Sequence, residues 1–209
     1  MNKTSILLFF LIICYLIFTN FSNYLLKADE IALIKLQEQL SISQINKIVG
    51  FQEKWQWVSY AILPLLLFIK IWIIATILNI GCFFFGKDIG YKKLFNIVVR
   101  AEFIFLLVII LKTAWFYFFQ TNYTLEDLQY FYPLSALNIV GYQGLDVWWI
   151  YPFQTLNLFE VAYWIILAYL LGKELKTTTE KGLKIVASSY GVSLLIWIVG
   201  VMFFTLNMS

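Results

Sequence analysis

Long runs of apolar residues separated by short polar turns constrain this chain more than any other feature. A bilayer core about 30 Å thick takes roughly 20 helical residues per crossing. Segments of that character cover residues 5–26, 57–85, 97–119, 151–171 and 184–206. The expected fold is therefore all-α: a polytopic membrane helix bundle of about five transmembrane helices, forming a single membrane-embedded domain over residues 1–209. With 62% hydrophobic and only 13% charged residues, the chain has little left for a separate soluble domain.

Composition also removes several functions. The net charge of +3 is spread without a basic run or a basic face interleaved with aromatics, so nucleic acid is not an expected partner. There is no histidine, which takes away the commonest general base and the commonest nitrogen ligand for metals. No cofactor and no metal are expected. Cys14 and Cys82 fall at different depths, so no disulfide is expected between them.

The first run holds Ile6 to Phe18 without a polar break, as a signal peptide or a retained anchor would. No small-residue cleavage site follows in Thr19 to Asn23, and a retained anchor is the expectation. Residues 27–54 form a polar amphipathic loop whose apolar positions, Leu33, Leu36, Leu40, Ile42, Ile45, Ile48 and Val49, keep helical spacing. One or two extracytoplasmic amphipathic helices are predicted there, on the membrane surface or covering another part of the protein. Residues 120–150 form an aromatic outer loop with no Lys or Arg. Within and just after it, Tyr130, Phe131, Tyr132, Trp148, Trp149 and Tyr151 read as an interfacial belt, with an aromatic ligand groove as the other reading. Thr124 to Asp127 has the pattern of a capping box. In the last run Ala187 with Gly191, and Ser189 with Ser193, place small residues four apart, which lets a neighbouring helix approach closely.

Ionisable residues inside spans are costly and so single themselves out. Glu160 falls near the middle of 151–171, with Asn157 one turn away; Lys70 and Lys112 lie near the centres of the second and third spans. Lys70, Lys112, Asn157 and Glu160 are thus the candidate intramembrane polar cluster, with one lysine expected to pair with Glu160. Arg100 and Glu102, nearer the cytoplasmic end and two apart, form a separate secondary pair of residues that do not face each other. The cluster either holds helix register or serves an ion or proton path.

Two basic turns carry a resemblance: Gly86 and Lys87 with Tyr91, Lys92 and Lys93, then Gly172 and Lys173 with Lys181 and Gly182. In this order of parts the last two thirds of the chain resembles the Yip1 family of five-span membrane proteins. The resemblance implies a membrane-organising or trafficking-type protein without catalysis. The polar insert at residues 27–54 departs from the compact family pattern.

The functional expectation is a non-enzymatic membrane scaffold or accessory subunit of a membrane complex, its partners being the lipid bilayer and other membrane proteins. The alternative is a small transporter or channel component using intramembrane charges. An intramembrane enzyme is disfavoured because Asp29, Asp88, Asp127 and Asp146 all lie outside the expected spans and do not cluster. Abundant Lys, Asn, Ile and Phe suggest an AT-rich bacterium, and hence its inner membrane.

Orientation follows from basic residues near span ends. With the N-terminus inside, Lys3, Arg100 and the two basic turns put nine basic residues in the cytoplasm, against four in residues 27–54 outside. A reporter fused after Ser209 is expected to be active outside the cell; activity in the cytoplasm overturns this orientation.

Overall fold

The computed structural model describes residues 3–208, so Met1, Asn2 and Ser209 lie outside the described residues. Among the described residues there is no strand, only an isolated bridge between Ser135 and Asn157. The helices are α1 (Lys3–Leu25), α2 (Ala28–Gln39), α3 (Ile42–Phe84), α4 (Tyr91–Glu102), α5 (Ile104–Phe118), α6 (Leu125–Tyr130), α7 (Leu137–Val140), α8 (Val147–Thr155), α9 (Leu158–Glu174), α10 (Thr179–Val186) and α11 (Val192–Met208). A π-helical turn, Ala187–Gly191, joins α10 to α11.

Four stretches are long and apolar enough to cross a bilayer: Lys3–Leu25, Tyr60–Phe84, Tyr91–Phe118, in which α4 and α5 run together, and Thr179–Met208. The expected span at 151–171 is not one helix. It breaks at Leu156 and Asn157 into α8 and the 17-residue α9. Asn157 is extended and caps α9, its side chain accepting from the Glu160 N–H at 2.8 Å while its amide donates to the carbonyls of Gln154 and Thr155. The freed backbone is stitched to the preceding loop, with Ala136 N–H donating to the Leu156 carbonyl and Leu158 N–H to that of Leu134. An irregular segment beside a bilayer requires this internal pairing.

The bundle has two unlike ends. At the basic end, Lys93 of α4 pairs with Glu174 of α9, and Asn96 donates to the Thr4 hydroxyl of α1 at 2.8 Å. At the aromatic end, Thr113 donates to the Ser22 hydroxyl and Tyr123 to the Leu26 carbonyl. There α2 folds back over α6. Lys35 pairs with Glu126, and Leu26, Phe116 and Leu128 form a small apolar cluster with Ile31, Tyr123 and Phe131 around it. α9 carries the chain from the aromatic end back to the basic one.

The expected polar loop at 27–54 therefore divides. Its first half, α2, covers the aromatic end. Its second half is continuous with the next span: α3 has 43 residues, about 64 Å, twice the thickness of a bilayer core. Ser41 caps it, with Gln44 reaching back to the Ser41 N–H at 3.0 Å, and no proline interrupts it before Pro64. One isolated glycine, Gly50, does not end a helix with this periodicity.

The main core joins α3, α4, α9 and α10 through residues such as Ile71, Leu78, Leu94, Val98, Leu167, Leu171 and Ile185. Glycines set how close these helices come. A Cβ on Gly182 would run into the Ala168 carbonyl of α9, and one on Gly81 would sit 2.6 Å from the Ser189 Cβ. The small residues of the last span are thus used within the chain, Ser189 against Gly81 and Gly191 beneath the Trp164 ring. Gly182→Val forces α9 and α10 apart and is expected to cost about 1–3 kcal/mol or more. The melting midpoint of the detergent-solubilised protein should fall accordingly, while Gly200→Ala, which meets nothing within 4 Å, should leave it within experimental scatter.

Candidate functional site

The third long apolar stretch begins at Tyr91, where Gly90 ends the turn, and α4 buries one face from Leu94 onward. Glu102 therefore lies about 16 Å into the helix, half the thickness of a bilayer core. Lys70 lies about 21 Å from the end of the antiparallel α3. The two meet: Lys70 Nζ is 3.0 Å from Glu102 Oε2, and the Tyr163 hydroxyl of α9 donates to Glu102 Oε1 at 3.1 Å. Glu102 is 0% exposed. The Lys70 ammonium also stands 4.2 Å over the Phe105 ring, a cation–π contact, with its side chain 44% exposed at the bundle surface.

This corrects the expected pairing, in which Lys70 or Lys112 neutralised Glu160 while Glu102 belonged to a lesser site near the cytoplasmic end. The reason is packing: α4 buries Glu102 against Lys70 of α3 and Tyr163 of α9. Glu160 instead accepts two neutral hydrogen bonds on Oε1, from Trp164 Nε1 at 2.9 Å and from the Tyr190 hydroxyl at 2.8 Å. Among the described residues no ion pair reaches it. It occupies the first turn of α9, about 21 Å from Glu174, the same rise that separates Lys70 from the end of α3.

Rings separate the two carboxylates. Tyr163 lies edge-on to Tyr190 at 5.5 Å and against Phe105 at 5.0 Å, and Trp164 lies edge-on to Tyr190 at 6.0 Å. Tyr190 stands on the π-helical turn, a local widening that recurs at functional positions in helices. Of the other expected residues, Asn157 joins this region only as the cap of α9. Lys112 donates to the Leu128 carbonyl and ties α5 to α6 at the aromatic end. Arg100 lines a cavity at the basic end, separate from Glu102 as its spacing predicted. Tyr163, Trp164 and Tyr190 are functional candidates that sequence reasoning missed. The usable signal was spacing, since Tyr163 and Trp164 stand three and four residues after Glu160.

At the aromatic end a groove of about 1050 Å³ opens between α5, α6, α7 and α9, with Trp115, Tyr130, Phe131, Leu134, Leu158 and Val161 among its lining. Tyr130 and Phe131 belong to this groove, whereas Trp148 and Trp149 meet each other on α8 with their rings tilted by 32°. The Ser135 hydroxyl behind it is buried and, among the described residues, has no hydrogen-bond partner. The capping box forms as predicted: Thr124 N–H donates to Asp127 Oδ2 at 2.8 Å, the Asp127 N–H returns to the Thr124 hydroxyl, and the Tyr142 hydroxyl donates to Asp127 Oδ1 at 2.8 Å. Burial pushes the Asp127 carboxyl up, but hydrogen bonds from the Thr124 backbone and the Tyr142 and Thr124 hydroxyls outweigh it and hold the group below the ordinary carboxylate value of 3.8.

Two expectations follow from this geometry. Lys70→Met leaves a fully buried carboxylate without its counter-charge and should destabilise the protein by about 3–5 kcal/mol, while Lys70→Met with Glu102→Gln should recover much of that loss. Thermal midpoints of the two variants in one detergent provide the comparison. Asp127, depressed in the folded state, stabilises the α6 cap at and above the unfolded value, and that contribution disappears as pH falls through the lower folded value. The midpoint difference between the natural protein and Asp127→Asn should be constant near neutral pH and shrink progressively as pH falls below about 4. Comparison with protein-family models, with curated proteins and with solved structures finds no match to this chain.

Proposed function

We propose that this chain is a non-enzymatic integral membrane protein that acts as a membrane-organising scaffold or as an accessory subunit of a membrane complex. One observation carries the reading. The charge at mid-depth is held by fixed partners from three helices, Lys70 of α3, Glu102 of α4 and Tyr163 of α9, in the manner of a brace. Neither the basic-end cavity nor the aromatic-end groove includes any of these three residues. A frame so braced leaves other surfaces for partners. No residue of α11 is buried, and α3 is exposed at every residue from Gly50 to Trp57, Phe51 at 64%. On this reading α9 is a fifth crossing, the N-terminus is inside and the C-terminus outside, and the membrane is a bacterial inner membrane. The Yip1-like order of the two glycine-lysine turns points the same way.

A second reading, a small transporter or channel component, is favoured by the π-helical turn that places Tyr190 on Glu160 beside the Glu102 pair. Affinity purification in mild detergent should separate the two. The scaffold reading expects a stoichiometric membrane protein to co-purify and to be lost when α11 apolar residues such as Trp197 and Phe204 are replaced by alanine. Proton or ion flux through proteoliposomes of the isolated chain, abolished by Glu160→Gln or Tyr190→Phe at unchanged stability, would instead establish the transporter.

A further inference from the structure

We infer that the cavity at the basic end is a binding site for the phosphate of an anionic membrane lipid. It measures about 340 Å³ and lies between the start of α1, α4 and the end of α9. Four cations line it, Lys92, Lys93, Arg100 and Lys173, against one carboxylate, Glu174. Lys93 and Glu174 neutralise each other in an ion pair. Lys92, Arg100 and Lys173 have no carboxylate partner among the described residues, so three charges of one sign converge on one cavity and repel each other until an anion enters.

Depth identifies the anion. Arg100 lies about 13 Å along the helix from Tyr91, inside the stretch that crosses the bilayer, where an unpaired guanidinium is costly. Its long stem lets the charged fork rise to the cavity, where it offers two parallel donors to a phosphate. Asn96, held by its hydrogen bond to Thr4, closes the wall toward α1. Ile97 and Leu170 supply an apolar floor. A free phosphate has no use for that floor; a phospholipid does, with its phosphate among the three cations and its glycerol and first methylenes against Ile97 and Leu170. The boundary of the bilayer is also where such headgroups are concentrated, and clustered basic residues there attract anionic lipids. The inference holds for a scaffold or a transporter alike.

The test uses the full-length protein, purified in a neutral detergent and freed of lipid. Its melting midpoint and its adducts in native mass spectrometry are followed while dioleoylphosphatidylglycerol, dioleoylphosphatidylcholine or inorganic phosphate is added. The expected result is one retained phosphatidylglycerol per chain, with a raised midpoint, and little effect of phosphatidylcholine or inorganic phosphate. Lys92→Gln with Lys173→Gln, both on exposed positions outside the core, should weaken phosphatidylglycerol by about tenfold or more while leaving the lipid-free midpoint in place. Arg100→Gln should abolish retention. If that variant fails to fold, the lysine pair decides alone. Equal retention of the two lipids, or unchanged retention in the lysine pair, overturns the site. Equal stabilisation by inorganic phosphate, lost in the same variants, overturns the lipid assignment in favour of a soluble anion.

Discussion

A carboxylate buried in an apolar helix bundle is held by whatever can neutralise it, and the packing of this protein is arranged around the one at Glu102. Its ammonium partner comes from α3, its phenol donor from α9, and the ring that lies beneath the ammonium from α5. Coulomb attraction grows as the dielectric falls, and so does the cost of leaving either charge alone. The pair therefore tolerates little sliding of α3 against α4, because one turn of displacement would separate the charges by several ångströms. Tyr163 extends the constraint, since its hydroxyl is committed to Glu102 and its ring meets Tyr190 on the π-helical turn.

From there the two ends are built by different means. Toward the basic end, helices approach backbone to backbone through Gly172 and Gly182, and the gain is dispersion between closely packed atoms, since lipid supplies no hydrophobic drive between helices. Toward the aromatic end the elements are short, and rings fill the space. Phe131 stacks on Trp115 and meets Phe116 edge-on, Phe116 meets Tyr123 edge-on, and α2 closes over the cluster. Short elements expose many backbone groups. Here they are answered by caps at Thr124 and Asn157, by the pairing of residues 134–136 with 156–158, and by Gln154 donating to the Tyr130 carbonyl.

The break at Asn157 shows how one signal can be read two ways. Asn157 and Glu160, three apart, fit one face of a continuous helix and equally fit a cap with an acid at the third helical position. The same pattern at Thr124 and Asp127 was legible as a cap because polar residues surrounded it. At Asn157 the flanking residues are apolar, so hydropathy argued for continuity. Moving the helix start to Leu158 puts Glu160 in the first turn of α9, and the acid that meets Lys70 is Glu102.

What the sequence by itself determined is what depends on local composition: helices in place of strands, the long apolar runs, the asymmetry of charge between the two ends, the cap at Thr124, and the separation of Arg100 from Glu102. Each follows from residues within a turn or two of one another, or from summed hydropathy. Only the tertiary structure decided which acid meets Lys70, that residues 42–84 form one helix, that α2 covers the aromatic end, and that Tyr190 serves Glu160. Those outcomes depend on helix starts shifted by a few residues and on contacts between distant segments, as between Ser22 and Thr113, 91 residues apart. A charge in a span announces that it needs a partner, but a rotation of 100° per residue and a rise of about 1.5 Å leave several partners within reach until packing chooses one.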